Sequence, residues 1–289
     1  MTVLRLIQFV PPAPLVWAQA TDAFARFGVE VRVTQTTSSD EIGIGLAEGR
    51  YDAGIGVADN AIGWGVERGA DLVIAAQLER RMEMRFCAAP DLPTLAAAAA
   101  KPIAVDATTN GFVLVLYRAL ARAGIARDAC RFDMVGGVKH RFDALMEGRA
   151  TSTILVPPFD AMAEAKGFRP LWDVRQMAPD YPGVVVVVRR DTPARDAVAR
   201  ALAAMVAAND WASQPANHAA AQAALLGARY SDAAAANLIA TAVPGLRPIP
   251  AGVAETIALR AECGLPPTPP ADPRRLVDLS FLDEAARLA

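Results

Sequence analysis

Two side chains in this sequence stand where a proton could be moved: His140 in "GGVKHRF" and Asp59 in "VADNAIGWG". An imidazole near a helix N-terminus is kept neutral by the positive end of the helix dipole, which suits a general base. A carboxylate such as Asp59 or Asp106, facing Arg80, Arg81 or Arg85 across a cleft, suits acid–base work and equally suits reading a ligand's amine and acid groups. The plainer reading makes His140 a surface residue of a first helical turn, beside Lys139 and Arg141. His218, in "ANHAAAQAALL", reads as a solvated helix face. There is no G-x-S-x-G, H-E-x-x-H, phosphate loop or dinucleotide fingerprint. Cys87, Cys130 and Cys263 are too few and too scattered for a metal knuckle or a disulfide framework, and Cys87 reads as a small buried hydrophobe. No metal and no cofactor is expected.

Binding is written more clearly than catalysis. In "VDATTNGFVLVLYRALARAG", residues 105–124, a strand-like run gives way to an amphipathic helix through Asp106, Ala107, Thr108, Thr109, Asn110 and Gly111. Capping the helix requires one threonine, Thr108 or Thr109; the remaining small polar residues would leave backbone N–H groups free to seat an anion. Similar turns recur along the chain. "QFVPPAP" places Phe9, Val10 and Pro11 at a rigid mouth, and "TQTTSSDE" supplies more hydroxyls than a cap uses, Thr37 and Ser38 among them. "VADNAIGWG" puts Asp59 and Asn60 at a helix start, and "MVGGVKHR" puts Gly136, Gly137 and Val138 where backbone can approach a ligand. "LVPPFD" repeats the double proline at Pro157. Phe9 and Tyr181 are available to cover an apolar ligand part or to serve as core aromatics, whereas Trp17 reads as core.

The elements that must position these turns alternate. "VLRLIQF", "VEVRVTQ", "YDAGIGV" and "ADLVIAAQ" read as strands separated by helical stretches, the first of them a single helix over "APLVWAQATDAFARFG". The rhythm pauses at "LERRMEMR" and restarts with "RFCAAP", "KPIAVD", "CRFDMV", "TSTILV" and "FRPLWDV". It pauses again at "APDYPG", before "VVVVVRR" and an alanine-rich helical tail. This order predicts mostly parallel sheets flanked by helices. One lobe would comprise residues 1–78 and 184–289, with residues 79–183 inserted as a second. Ligands in such folds lie at the carboxyl ends of the strands, here in the gap between the lobes.

Composition limits the partners. With 21% charged residues, a net charge of −2 and no long run of one sign, the chain has no footprint for nucleic acid. No stretch reaches the ~18 apolar residues of a membrane span. "MTVLRLIQFVPP" enters a strand directly, without a basic n-region, an apolar h-region or a cleavage site, so the chain as written reads as cytoplasmic; a leader upstream would make it periplasmic.

Five stretches carry a resemblance: "PLVWAQATDAFARFGVEVRV", "GLAEGRYDAGIGVADNAI", "IAVDATTNGFVLVLYRALARAGI", "GGVKHRFDALMEGRATSTILVPPFDAMAEAKGF" and "APDYPGVVVVVRR". Over about residues 3–210 the chain resembles the solute-binding proteins of ABC importers, nearest those serving nitrate, sulfonate and thiamine-precursor uptake. The resemblance implies a two-lobed, type II periplasmic-binding fold closing over a small molecule, with an ABC permease as partner if the chain is exported. Carried over by position, it places Phe9 to Pro12, Thr37, Ser38, Asp59, Asn60, Gln77, Thr108 to Gly111, Gly136 to Val138 and Pro157 at the lobe interface. The expected function is binding of a small organic anion, a carboxylate or similar group with room for an aromatic or heterocyclic part. The alternative is a cofactor-free lyase or decarboxylase using the same cleft, with His140 or Asp59 as base.

Overall fold

Every run read as a strand is one, and the strands sort into two five-stranded sheets in the computed structural model, which describes residues 1–109, 111–265 and 272–288, without the side chains of 66–68. The first sheet holds β1 (Thr2–Gln8), β2 (Val29–Gln35), β3 (Ala53–Gly56) and β4 (Leu72–Gln77). The second holds β5 (Arg85–Ala88), β6 (Ile103–Val105), β7 (Phe132–Met134), β8 (Ser152–Leu155) and β9 (Arg169–Asp173). The chain then returns to the first sheet as β10 (Val185–Arg189). The strand orders are β2-β1-β3-β10-β4 and β7-β6-β8-β5-β9. Each sheet is mixed. β10 runs antiparallel between β3 and β4, and β5 antiparallel between β8 and β9. Two segments therefore pass between the sheets, Leu78–Met84 outward and Val174–Val184 back, and Gly183 on one lies so close to Glu79 on the other that a Cβ there would stand 2.5 Å from the Glu79 carbonyl oxygen.

The first helix differs from its sequence reading. It breaks into Ala13–Ala20 and Ala23–Arg26 because Asp22 adopts φ 52°, a left-handed conformation that ends the helical ladder. The alanine-rich tail is packed structure. In helix Arg195–Ala212, Ala197, Ala201, Met205, Ala208 and Ala212 are all buried, three or four residues apart, against the first sheet. Near the C-terminus, Ile74 of β4 exchanges backbone hydrogen bonds with Leu276 (2.8 Å) and Asp278 (3.0 Å), which covers that sheet edge.

One C-terminal helix belongs to both lobes. Val253, near the start of Pro250–Cys263, is buried with the first lobe's Trp64 and Leu276, and Leu259 is fully buried in the second lobe's core with Leu114 and Tyr117. Arg118 of the helix Phe112–Arg122 pairs with Glu255 and Glu262 on the same surface. Truncating Leu259 therefore loosens the join as well as a core: Leu259→Ala is expected to cost about 2–5 kcal/mol, measured by urea unfolding. A cost below ~1 kcal/mol would show that this helix is not fixed by its second-lobe end.

Candidate functional site

A cavity of about 80 Å³ lies between the lobes, several times the ~10–15 Å³ that admits one water. The first lobe contributes Phe9, Val10, Ile55, Gly56, Val57 and Asn60, and Val184 adds to this side from the returning segment. Opposite are Asp106, Gly111, Phe112, Gly137, Val138 and Arg141, with Met82 and Val156 at one end. A larger, more open chamber of about 660 Å³ adjoins it past Phe9, Val10 and Val138, with Pro11, Thr37, Ser38, Glu41 and Lys139 in its wall.

Arg141 is the cation of the inner cavity's described wall, beside the carboxylate of Asp106. Its helix, Val138–Met146, buries Val138, Arg141, Phe142 and Leu145, a spacing of three, four and seven that defines one face. His140 is on the other side, exposed and outside the cavity wall. Arg141 is 1% exposed; its Nη1 lies 2.8 Å from Asp106 Oδ1 and its guanidinium 5.4 Å from the Phe112 ring centroid. Its Nε–H has no partner among the described residues. Burial pulls its pKa below the usual guanidinium value, and Asp106 opposes the shift. Asn60, also buried, donates to Ser39 Oγ (3.4 Å) while its Oδ1 accepts from nothing among the described residues. Two residues of the wall thus carry, among the described residues, one unused donor and one unused acceptor, each costly to leave unpaired.

The helix-start amides of Gly111 and Gly137 face protein partners across the lobe boundary. Gly137 N–H donates to the Thr37 carbonyl (2.9 Å), and Gly111 N–H donates to Asp59 Oδ2 (3.1 Å). The helix after the opening polar turn starts at Phe112, so its N-cap is Gly111 at φ 64° and neither threonine caps it. The Thr108 carbonyl accepts from Tyr117 Oη (2.9 Å) and the Thr109 carbonyl from Arg260 Nη2 (3.0 Å). Asn110 lies outside the described residues. Asp59 is fully buried and bidentate with Arg260 (Nε–Oδ1 2.7 Å, Nη2–Oδ2 3.0 Å). Burial raises its carboxyl, against the pull of Arg260 and the Gly111 N–H.

Of the other sequence-predicted residues, Phe9, Val10, Asn60, Gly111, Gly137 and Val138 meet at the inner cavity, and Pro11, Thr37 and Ser38 line the outer chamber. Gln77 faces away: its amide donates to the Glu79 and Arg80 carbonyls and accepts from Ile249 N–H. Tyr181 is buried in the second lobe's core, outside the cavity wall. Gly136, at φ 100°, lies beside His140, where a Cβ would stand 2.6 Å from Nδ1. Pro157 borders a smaller, third cavity with Glu79 and Tyr230. Sequence reasoning passed over Arg141 as a surface neighbour of His140, although the 138-141-142-145 spacing places it inward. Nothing local marks Arg260, whose partner is 201 residues away.

Residues 4–226 match the NMT1-like family. No curated protein matches the sequence. Among solved structures, a protein of Bordetella bronchiseptica RB50 is similar at TM-score 0.80 and 17% identity, over 99% of this chain and 98% of that one. The periplasmic nitrate-binding protein of Synechocystis PCC 6803 is similar at TM-score 0.76 and 14% identity, over 99% and 89%. The alkanesulfonate-binding protein of Xanthomonas axonopodis pv. citri, bound to MOPS, is similar at TM-score 0.72 and 17% identity, over 99% and 98%. Among the described residues no helix is long and apolar enough to cross a membrane.

Two outcomes test this geometry. A Cβ at Gly137 would stand 2.7 Å from the Thr37 oxygen, so Gly137→Ala is expected to part the lobes and raise the radius of gyration in small-angle scattering; an unchanged profile would argue against this contact. Glu79, between the Ala13 N–H, Gly183, Glu83 and Tyr230, has its carboxyl pushed up to about 7 by burial and by the like charge of Glu83. The fold favours its neutral form, so this stabilisation is complete below the ordinary value of 4.5 and disappears as pH rises through about 7. Melting temperature should fall from about pH 5 to about pH 8, and Glu79→Gln should flatten that fall. By its match over residues 4–226 the chain belongs to the NMT1-like family, and its two sheets with a cavity between them have the periplasmic-binding-protein fold.

Proposed function

We propose that the protein binds a small organic anion, a carboxylate or similar group, in the cavity between two lobes, residues 1–78 with 184–289 and residues 79–183, as a solute-binding or cytosolic ligand-binding protein. The observation that carries this reading is the buried Arg141 guanidinium, which belongs to a residue of the cavity wall and whose Nε–H has no partner among the described residues. Guanidinium presents its donors in a planar fork suited to carboxylate and related oxyanions. Phe9, Phe112, Ile55 and Val57 supply the apolar contacts that an organic ligand needs. The fold neighbours that bind nitrate and alkanesulfonate support an anion in this position at the level of architecture. If the chain is exported, an ABC permease is the partner that would receive the ligand. No observation favours the lyase alternative: His140 is exposed, and Asp59 is bound to Arg260.

A thermal-shift screen of small organic acids, with mass spectrometry of whatever stabilises the fold, tests the reading. A ligand recovered unchanged is expected; one that has lost carbon dioxide or water would mean catalysis. Arg141→Met should weaken binding by about ten- to a hundredfold, the equivalent of one charge-assisted hydrogen bond of about 1.5–3 kcal/mol. Equal affinity in that variant would remove Arg141 from the site.

A further inference from the structure

We propose that the Arg141 cavity is one half of a bipolar site, and that the third cavity, on the far side of Met82 and bordered by Glu79 and Glu83, takes a cationic group on the same ligand. The inference rests on the anion reading above and adds the second pole. The two cavities, of about 80 Å³ and about 60 Å³, share Val10, Met82, Val156 and Val184 as a common partition. Three of these are β-branched and stiff. Met82 is unbranched and adaptable, so its movement joins the spaces at little cost.

The third cavity has the opposite chemistry to the first. Tyr230 donates its hydroxyl proton to the Pro11 carbonyl (2.9 Å) and so offers the cavity only an acceptor. Pro12 and Pro157 carry no N–H, and Ala234, Leu238 and the partition residues have no side-chain hydrogen to donate. What remains is carboxyl oxygen. Glu83 Oε1 accepts from Asn237 Nδ2 (2.9 Å), and Arg85 and Arg175 act on it from a distance. Among the described residues, the groups that act on Glu79 are the Ala13 N–H and the like charge of Glu83. Above about pH 7, where Glu79 is ionised, a wall whose side chains offer only acceptors, two of them carboxylates, calls for a donor bearing positive charge. A second sign lies across the partition, where, among the described residues, the buried Asn60 Oδ1 also lacks a donor while Arg141 Nε lacks an acceptor. The matching ligand class is a short zwitterion, with an amine or protonated heterocycle separated from its oxyanion by an apolar spacer.

Calorimetric titration of the full chain with two matched probe sets, straight-chain alkanoates and the ω-aminoalkanoates of equal length, decides the matter above the Glu79 midpoint of about 7. The expected result is that one amino member binds about tenfold more tightly than its plain counterpart, as a charge-assisted hydrogen bond implies. Glu79→Gln should bring that ratio near one, and Glu83→Gln should reduce it; Glu83→Gln alone serves if the first variant does not fold. If alkanoates bind in an Arg141-dependent way but the amino members bind no better, the second pole is wrong and the anion site stands. A preference surviving both substitutions also overturns the second pole. Binding of neither set, or binding indifferent to Arg141→Met, overturns both.

Discussion

The geometry of the cleft depends on one buried ion pair. Asp59, at the start of a first-lobe helix, meets Arg260 of the C-terminal helix with neither side chain exposed. The pair is extended on both sides by second-lobe backbone, through the Gly111 N–H to Asp59 and the Thr109 carbonyl to Arg260. Removing two charges from water costs nearly as much as their attraction returns, so such a pair contributes little net stability. It contributes position. An Asp59 carboxylate with any other neighbour would be an uncompensated buried charge, and so the second-lobe turn is held in one place against the first lobe. Gly111 and Asn60, each adjacent to a member of this network, line the cavity and inherit that register.

The same constraint explains which donors remain for a ligand. Helix-start amides are natural anion seats when they face an open gap. Here the lobes meet through the first of them, Gly137 on Thr37 and Gly111 on Asp59, so those two donors are consumed in closure. Glycine is required for this approach, since a Cβ at Gly137 would collide with the Thr37 carbonyl. The positive charge in the cavity wall comes from a side chain. Arg141 supplies it from one turn inside its helix, where the buried face of Val138, Phe142 and Leu145 carries it inward.

Hydrophobic runs and their spacing made the strands legible, because burial on both faces demands continuous apolar stretches such as "VVVVV" and "LVIAA". Strand direction leaves no such mark, which is why β5 and β10 emerge as antiparallel only from the structure. A left-handed residue that is not glycine is equally silent, hence the unforeseen break at Asp22. At the site, Phe9, Val10, Gly137 and Val138 could be read from their places at strand ends and helix starts. The periodicity that finds Arg141 was present in "VKHRFDALM", but His140 drew attention to the opposite face. Arg260 was beyond reach, since the pairing of residues remote in sequence is set by the tertiary fold alone.

The proposed preference for an organic over an inorganic anion follows from how Arg141 is balanced. Asp106 already neutralises much of its charge, so the cavity exerts only a weak field on a passing anion. A bare inorganic ion would compete with Asp106 for one guanidinium and gain little else. An organic anion adds contact with Phe9, Phe112, Ile55 and Val57, whose burial is worth about 25 cal/mol per Å² of apolar surface. Affinity in such a site grows with the ligand's hydrocarbon, while the guanidinium fixes which end enters first. In the proposed site the carboxylate beside the arginine would act as a filter, making charge necessary for orientation and insufficient for binding.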